Sequence, residues 1–306
     1  RQANMGEQQI NQAIQCWPPL AARAGLDADA FDVGEVWQRH DPQRSHIVLR
    51  LEGPESAVIL KRVFQPNDSE VFRANLSGHR RACAALRGDL LAHAPEILAV
   101  DEAGQAVLST CAPGRTVDAL CADGADHGPI LRRAGMWMSA FHDATFQEDR
   151  QYQPRFMVDH IKRLARALSA NERRIRGRAE FLQYAAQIPG WAEGFEGRKT
   201  ISAAKHGDMN LRNIMLDGDQ AWGLDYSGNS HAPVGFDIAR FLLNYTEVFG
   251  NFDALKPGQV VPPSAFNAFF EGYKAVDAND PSVVFLLKVQ LLTDWARVPP
   301  ESEAEN

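Results

Sequence analysis

The 306-residue chain is 45% hydrophobic and 23% charged, with a formal net charge of −7. Such a length can bury a sizeable core in one bilobal unit or two domains, and the composition is ordinary for a globular protein. The negative balance argues against a nucleic-acid partner, which needs clustered positive charge. No apolar run approaches the ~20 residues needed to cross a bilayer.

Residues 1–9 are polar and lack the pattern of a secretory signal; a chain that begins with Arg is expected to have been trimmed or to carry a cloning remnant. Residues 31–37, 45–51 and 57–61 read as strands, with Gly53-Pro54-Glu55 turning between the second and third. A helix is expected over 69–87 with Ser69 as its N-cap. Two further strands follow at 97–100 and 106–109, around the turn at Glu102-Ala103-Gly104. Beyond Pro113-Gly114 the pattern becomes helical. In residues 130–141 the apolar positions Ile130, Leu131, Ala134, Trp137, Met138 and Phe141 form one face of a 3.6-residue period, with Pro129 suited to the first turn. Helices are also expected over 157–168, 180–187, 236–249, 264–273 and 281–295. Residues 298–306, with Glu301, Glu303 and Glu305, read as a disordered tail. Cys16, Cys83, Cys111 and Cys121 show neither metal-site nor disulfide-framework spacing, so reduced thiols in a cytoplasmic protein are expected.

One interruption of the helical part carries chemistry. His206-Gly207-Asp208-Met209-Asn210-Leu211-Arg212-Asn213 leads into two short apolar runs, 213–216 and 221–224, separated by Asp217-Gly218-Asp219-Gln220. This is a hairpin signal, and antiparallel strands would bring Asn213 and Asp225 to the same rim. Magnesium prefers hard oxygen ligands, one or two carboxylates beside phosphates and water. Asn213 and Asp225 supply such oxygens, which leaves Asp208 to take a proton from an attacking hydroxyl.

With these residues the chain resembles the aminoglycoside phosphotransferase and choline kinase family, which has a protein-kinase-like fold. The matching pieces are His206-Gly207-Asp208, Asn213, Leu224-Asp225 and Gly235-Phe236-Asp237-Ile238-Ala239. The resemblance covers most of residues 31–296, with specific motifs only in 206–239. It implies an α+β, bilobal, kinase-like fold: a small β-rich N-lobe (1–110) that binds nucleotide, and a larger, mostly helical C-lobe (111–297) with the catalytic loop and hairpin. It also implies ATP or GTP and Mg²⁺ as cofactors, a small-molecule hydroxyl acceptor as partner, and neither nucleic acid nor membrane.

The resemblance implies further roles. Lys61, ending an apolar strand, would reach the α- and β-phosphates. Ser45, in the polar loop 38–45 that replaces a glycine-rich loop, or backbone amides there, would touch phosphates. Ser109 and Cys111 would lie at the hinge that meets the base. Kinase-like folds pair the lysine with a helix Glu, but the expected positions here carry Ala74, Gly78, His79 and Ala82. Glu70 is either that partner or a favourable charge in the first helical turn. His206 is a metal ligand or a residue fixing the loop, and imidazole suits zinc better than magnesium. Asp237 would cap its helix or brace the loop. Tyr226-Ser227 after Asp225, in place of Phe-Gly, and the lack of an Ala-Pro-Glu segment speak against a protein kinase. The intact Asp208, Asn213 and Asp225 speak against a non-catalytic scaffold. A metal phosphohydrolase built on His142-Asp143 lacks a matching His cluster.

Overall fold

A computed structural model describes residues 2–300. Of the tail expected at 298–306, residues 301–306 lie outside the described residues, and 298–300 are exposed and outside any helix or strand. The chain divides into two compact units, residues 1–115 with 215–229, and 116–214 with 230–306.

The first unit opens with two helices, α1 (Gln2–Gln15) and α2 (Trp17–Arg23). Strands β1 (Asp32–His40), β2 (Ser45–Glu52) and β3 (Ala57–Gln65) follow, then helix α3 (Ser69–Ala85). After them come β4 (Ala92–His93), β5 (Ile97–Asp101) and β6 (Ala106–Thr110). The main sheet runs in the order β1-β2-β3-β6-β5, each neighbouring pair antiparallel. Its sidedness follows from the period-2 geometry of a strand. Ile47, Leu49 and Leu51 of β2, Val58 and Leu60 of β3, and Leu108 of β6 form one core with Ala13, Trp17, Leu20 and Ala21 of the two helices. Each large apolar side chain so buried contributes roughly 1.5–3 kcal/mol. The alternate residues, His46, Val48 and Arg50 of β2 and Lys61 of β3, are only half-buried and occupy the other face.

The strands expected at 45–51, 97–100 and 106–109 are present within a residue of those limits, while β1 and β3 run three or four residues further. The N-cap of α3 is Asp68 and not Ser69, because the Asp68 carboxylate accepts from the backbone N–H groups of Glu70 and Val71. Residues 2–9, read only as polar, supply most of α1.

The second unit is mostly helical. The short strand β7 (Arg115–Thr116) leads to α4 (Val117–Ala122) and α5 (His127–Ala144). Then come β8 (Phe146–Gln151), α6 (Arg155–Ser169), α7 (Arg178–Ala192) and β9 (Lys199–Ala204). The hairpin strands β10 (Ile214–Asp217) and β11 (Gln220–Gly223) are hydrogen-bonded neighbours joined by a turn at Gly218. The chain closes with β12 (His231–Pro233), α8 (Gly235–Phe249), α9 (Pro263–Gly272) and α10 (Pro281–Trp295). All six apolar residues expected on one face of α5 are buried. Strands β12, β9 and β8 form a small antiparallel sheet.

Residues 215–229 belong to the first unit although the helical part surrounds them in sequence. The reason is local: β11 pairs in parallel with β4, and the segment after Asp225 is bonded to α3. The four cysteines are free thiols. Among the described residues no helix is long and apolar enough to cross a membrane.

Candidate active site

In the second unit the loop after β9 is tied down from several sides. Gly207 has φ +90°, a left-handed conformation that glycine adopts without steric cost. The buried Asp237, in the first turn of α8, accepts from the backbone N–H of His206 (2.8 Å) and of Gly207 (3.2 Å). His142 Nε2 lies 3.1 Å from the same carboxylate, and its Nδ1 is 2.8 Å from the Tyr273 hydroxyl. Burial raises the Asp237 pKa, but the hydrogen bond and charge of His142, with His206, outweigh it and hold the group below the ordinary carboxylate value. His206 is fully buried, and its Nδ1 accepts from the Asp208 N–H at 3.2 Å. Acceptance at Nδ1 places the ring proton on Nε2. The ring fixes the loop from inside. Both nitrogens of His142 are engaged as well. Among the described residues no three His, Cys, Asp or Glu side chains gather as metal ligands.

Asp208 itself is held at both ends. Its backbone carbonyl accepts from Asn213 Nδ2 at 2.7 Å and from Asn210 Nδ2 at 3.3 Å. Its carboxylate Oδ1 accepts from Arg240 Nη2 at 2.7 Å and Nε at 3.2 Å. Asn210 also caps the single 3₁₀ turn Leu211–Asn213, whose first N–H is bonded to the Asn244 side chain. Asn213 is buried at the end of that turn, directly before β10. Its amide nitrogen is used on Asp208 and its Oδ1 makes no hydrogen bond among the described residues.

In the first unit Lys61 Nζ lies 2.8 Å from Asp225 Oδ1. Asp225 follows β11 by two residues and has φ +56°, a left-handed conformation uncommon for a residue with a Cβ but tolerated by Asp. Helix α3 holds the segment that follows. Asn75 Oδ1 accepts from Gly228 N–H at 2.7 Å, Arg81 Nη1 donates to Asn229 O at 2.7 Å, and His79 stacks on the buried Tyr226. Gly78 lets the two approach: a Cβ there would meet Gly228 O at 2.1 Å. Lys61 therefore pairs with Asp225 itself, and Glu70 is an exposed residue in the first turn of α3. Of the helix positions that lack the expected acid, Gly78 and His79 pack against the segment that follows Asp225.

The remaining expected nucleotide contacts are spread along the same unit. Ser45 is only 1% exposed, on the face covered by α1, where its hydroxyl bonds Gln9 Oε1 at 3.0 Å. Its side chain is thus turned from the face of Lys61, and the neighbour His46 occupies that face. Burial first, then the charge of Lys61, lowers the His46 pKa to about 4, against the pull of Asp225, so the ring is neutral at pH 7. Ser109 lies in β6 opposite Ile59, half-buried. The Cys111 thiol, its pKa raised by burial, lines a cavity of about 400 Å³ with Arg50, Ser56, Ala57, Ala112, Pro113 and Gly114. Sequence reasoning missed His46 and Arg240, and named His142 only in a metal-phosphohydrolase reading with Asp143, not as the partner of Asp237. Of these, only Arg240 had a positional hint, three residues beyond Asp237.

No protein-family model matches the chain, and no curated protein matches it in sequence. Solved structures do match. A choline/ethanolamine kinase family protein from Mesorhizobium loti superposes with a TM-score of 0.55 at 16% identity, covering 90% of this chain and 82% of its own. A spectinomycin phosphotransferase, in complex with ADP and spectinomycin, gives 0.56 at 13%, covering 92% and 85%. An amicoumacin kinase, in complex with AMP-PNP, Ca²⁺ and its substrate, gives 0.51 at 16%, covering 87% and 84%. The chain has the kinase-like α+β fold of these proteins: an antiparallel sheet in its N-terminal region and helices in its C-terminal region.

Proposed function

We propose that the protein is a small-molecule kinase that moves the γ-phosphoryl group of ATP or GTP to a hydroxyl, with Asp208 as the base. The observation that carries this reading is the bond from Asn213 Nδ2 to the Asp208 carbonyl, which fixes base and expected metal ligand as one rigid turn. The fold shared with the kinases and phosphotransferases above supports it, as does the AMP-PNP and Ca²⁺ bound to one of them.

Each expected ligand by itself is of the kind magnesium takes: among the described residues the Asn213 amide oxygen accepts no hydrogen bond, and Asp225 offers a half-exposed carboxylate, both hard oxygens. When bound, the ion supplies charge neutralisation at the phosphate oxygens. Lys61 would exchange its bond with Asp225 for a charge-assisted contact to the nucleotide phosphates. In the transfer, the acceptor hydroxyl gives its proton to Asp208. The acceptor oxygen forms the new bond to the γ-phosphorus. The bond from that phosphorus to the β,γ-bridging oxygen breaks, and its electron pair leaves with the nucleoside diphosphate.

One observation favours a second reading, a nucleotide-binding scaffold: Lys61 is engaged by Asp225, and the α3 acid Glu70 makes no bond to it among the described residues. A nucleotide-consumption screen over hydroxyl-bearing metabolites and antibiotics, with Mg²⁺ present, separates the two. Turnover by the wild type and its loss in Asp208→Asn support the kinase. Tight Mg-ATP binding without turnover on any acceptor supports the scaffold.

A further inference from the structure

We infer that Arg240 is a positioning residue for the reaction: its guanidinium holds Asp208 by Oδ1 and so reserves Oδ2 as the oxygen that receives the acceptor's proton. The inference rests on the kinase reading above.

A carboxylate is poorly oriented by its own torsions, because the terminal sp³–sp² rotation of Asp is broad and roughly two-fold. Left alone, Asp208 would present either oxygen, over a wide arc, to a hydroxyl that must arrive within hydrogen-bond reach. Two donors of one guanidinium, Nε at 3.2 Å and Nη2 at 2.7 Å, converge on Oδ1. The Oδ2 atom makes no hydrogen bond to the described residues. Both side chains are about one-third exposed, at 34% and 28%, so Oδ2 can be approached.

The placement of Arg240 is dictated by α8. Residues three apart on a helix share a face. Asp237 and Arg240 are three apart, and both reach the same loop: Asp237 takes the N–H groups of His206 and Gly207, and Arg240 takes the carboxylate of Asp208. One helical face therefore sets the backbone of the catalytic loop and the direction of its base. The planar guanidinium with its fixed fork of donors suits this, because it constrains angle as well as distance. Lysine would supply charge without the fork.

The test compares Arg240→Met and Arg240→Lys with the wild type, using Mg-ATP and the acceptor found by the screen, or hydrolysis of Mg-ATP by water where none is found. Folding is checked by thermal melt. Misplacement of a reacting group by about 1 Å costs on the order of 10²-fold in rate. The expected result is a drop in kcat of about that size for Arg240→Met, with KM for Mg-ATP unchanged and part of the rate restored in Arg240→Lys. Wild-type kcat in folded Arg240→Met overturns the inference and leaves the kinase reading standing. A matched change of kcat and KM, or a loss that follows the unfolded fraction, also overturns it, since that is what a structural role produces. If Arg240→Met does not fold, Arg240→Lys decides: reduced kcat at constant KM supports the inference, and wild-type kcat refutes it. A wild type that turns over with neither acceptor nor water removes the kinase reading first, and this inference with it.

Discussion

Lys61 and Asp225, 164 residues apart in sequence, form a direct ion pair at 2.8 Å. The pair is exposed, with 31% and 50% of the two side chains open to solvent, so it contributes little to stability, about 0–1 kcal/mol before solvent screening reduces it. Its value is in placement. If Asp225 holds the metal as proposed, the pair keeps the Lys61 amine next to that ligand.

Lys61→Ala should therefore melt close to wild type and yet bind nucleotide more weakly. A hydrogen bond to a charged group contributes roughly 1.5–3 kcal/mol, or about 10- to 100-fold in affinity. Calorimetry with Mg-ATP reads this directly. Wild-type affinity in the folded variant would remove Lys61 from the site.

Gly78→Ala tests how α3 holds the Asp225 segment. The added Cβ would meet Gly228 O at 2.1 Å, an overlap that backbone must relieve. Overpacking of this kind costs typically 1–3 kcal/mol. The expected outcome is a lower melting temperature together with weaker Mg-ATP binding, since the displaced segment carries Asp225. A drop in stability with unchanged Mg-ATP affinity would separate Gly78 from the site.

The buried pair of Asp237 and His142 links the His206–Asn213 loop to stability and pH. Removing His142 leaves the buried Asp237 short of a hydrogen bond, which costs about 1–3 kcal/mol and more for a charged group, so His142→Ala should be destabilised. The Asp237 pKa is lowered in the folded protein, by His142 and His206 against its burial. A depressed carboxylate stabilises the fold above its unfolded value of about 3.9, and that contribution is lost as pH falls through the folded value. Melting temperature against pH should fall on the acid side in the wild type. Asp237→Asn should start lower and lose that part of the pH dependence; an unchanged acid limb would assign it to other carboxylates.

Much of this arrangement was legible because the signals were local. The alternation Ile47, Leu49, Leu51 marks the covered face of β2, and the period of Ile130 to Phe141 marks the buried face of α5. The same alternation puts Ser45 on the covered face, and the polar-loop reading passed over that parity. Other elements carry no hydropathy signal. Strand β8 is almost wholly exposed and is held by backbone pairing to β9. In α1, among the described side chains, Ile10 and Ala13 meet the core along a run rich in Gln. Asp68 took the cap from Ser69 because both precede a helical run and their side chains compete for the same N–H groups. Arg240 sits three residues past Asp237, but its partner Asp208 lies 32 residues away in sequence, and only the path of the chain joins them.

The sharpest contrast is between Asp208 and Asp225. A general base contributes typically ~10²–10⁴-fold to rate. Asp208→Asn is nearly isosteric, keeps the backbone carbonyl that Asn213 grips, and loses the carboxylate charge, both as proton acceptor and as partner of Arg240. It should hold Mg-ATP with wild-type affinity while turnover falls by about that factor. Asp225→Ala should instead lose the magnesium dependence of ATP binding, so affinity and rate fall together. Calorimetry with and without Mg²⁺, followed by turnover at saturating Mg-ATP, reads both variants side by side. Equal turnover of folded Asp208→Asn and wild type would dismiss Asp208 as the base. Unchanged metal-dependent binding in Asp225→Ala would dismiss the metal assignment while leaving the base intact.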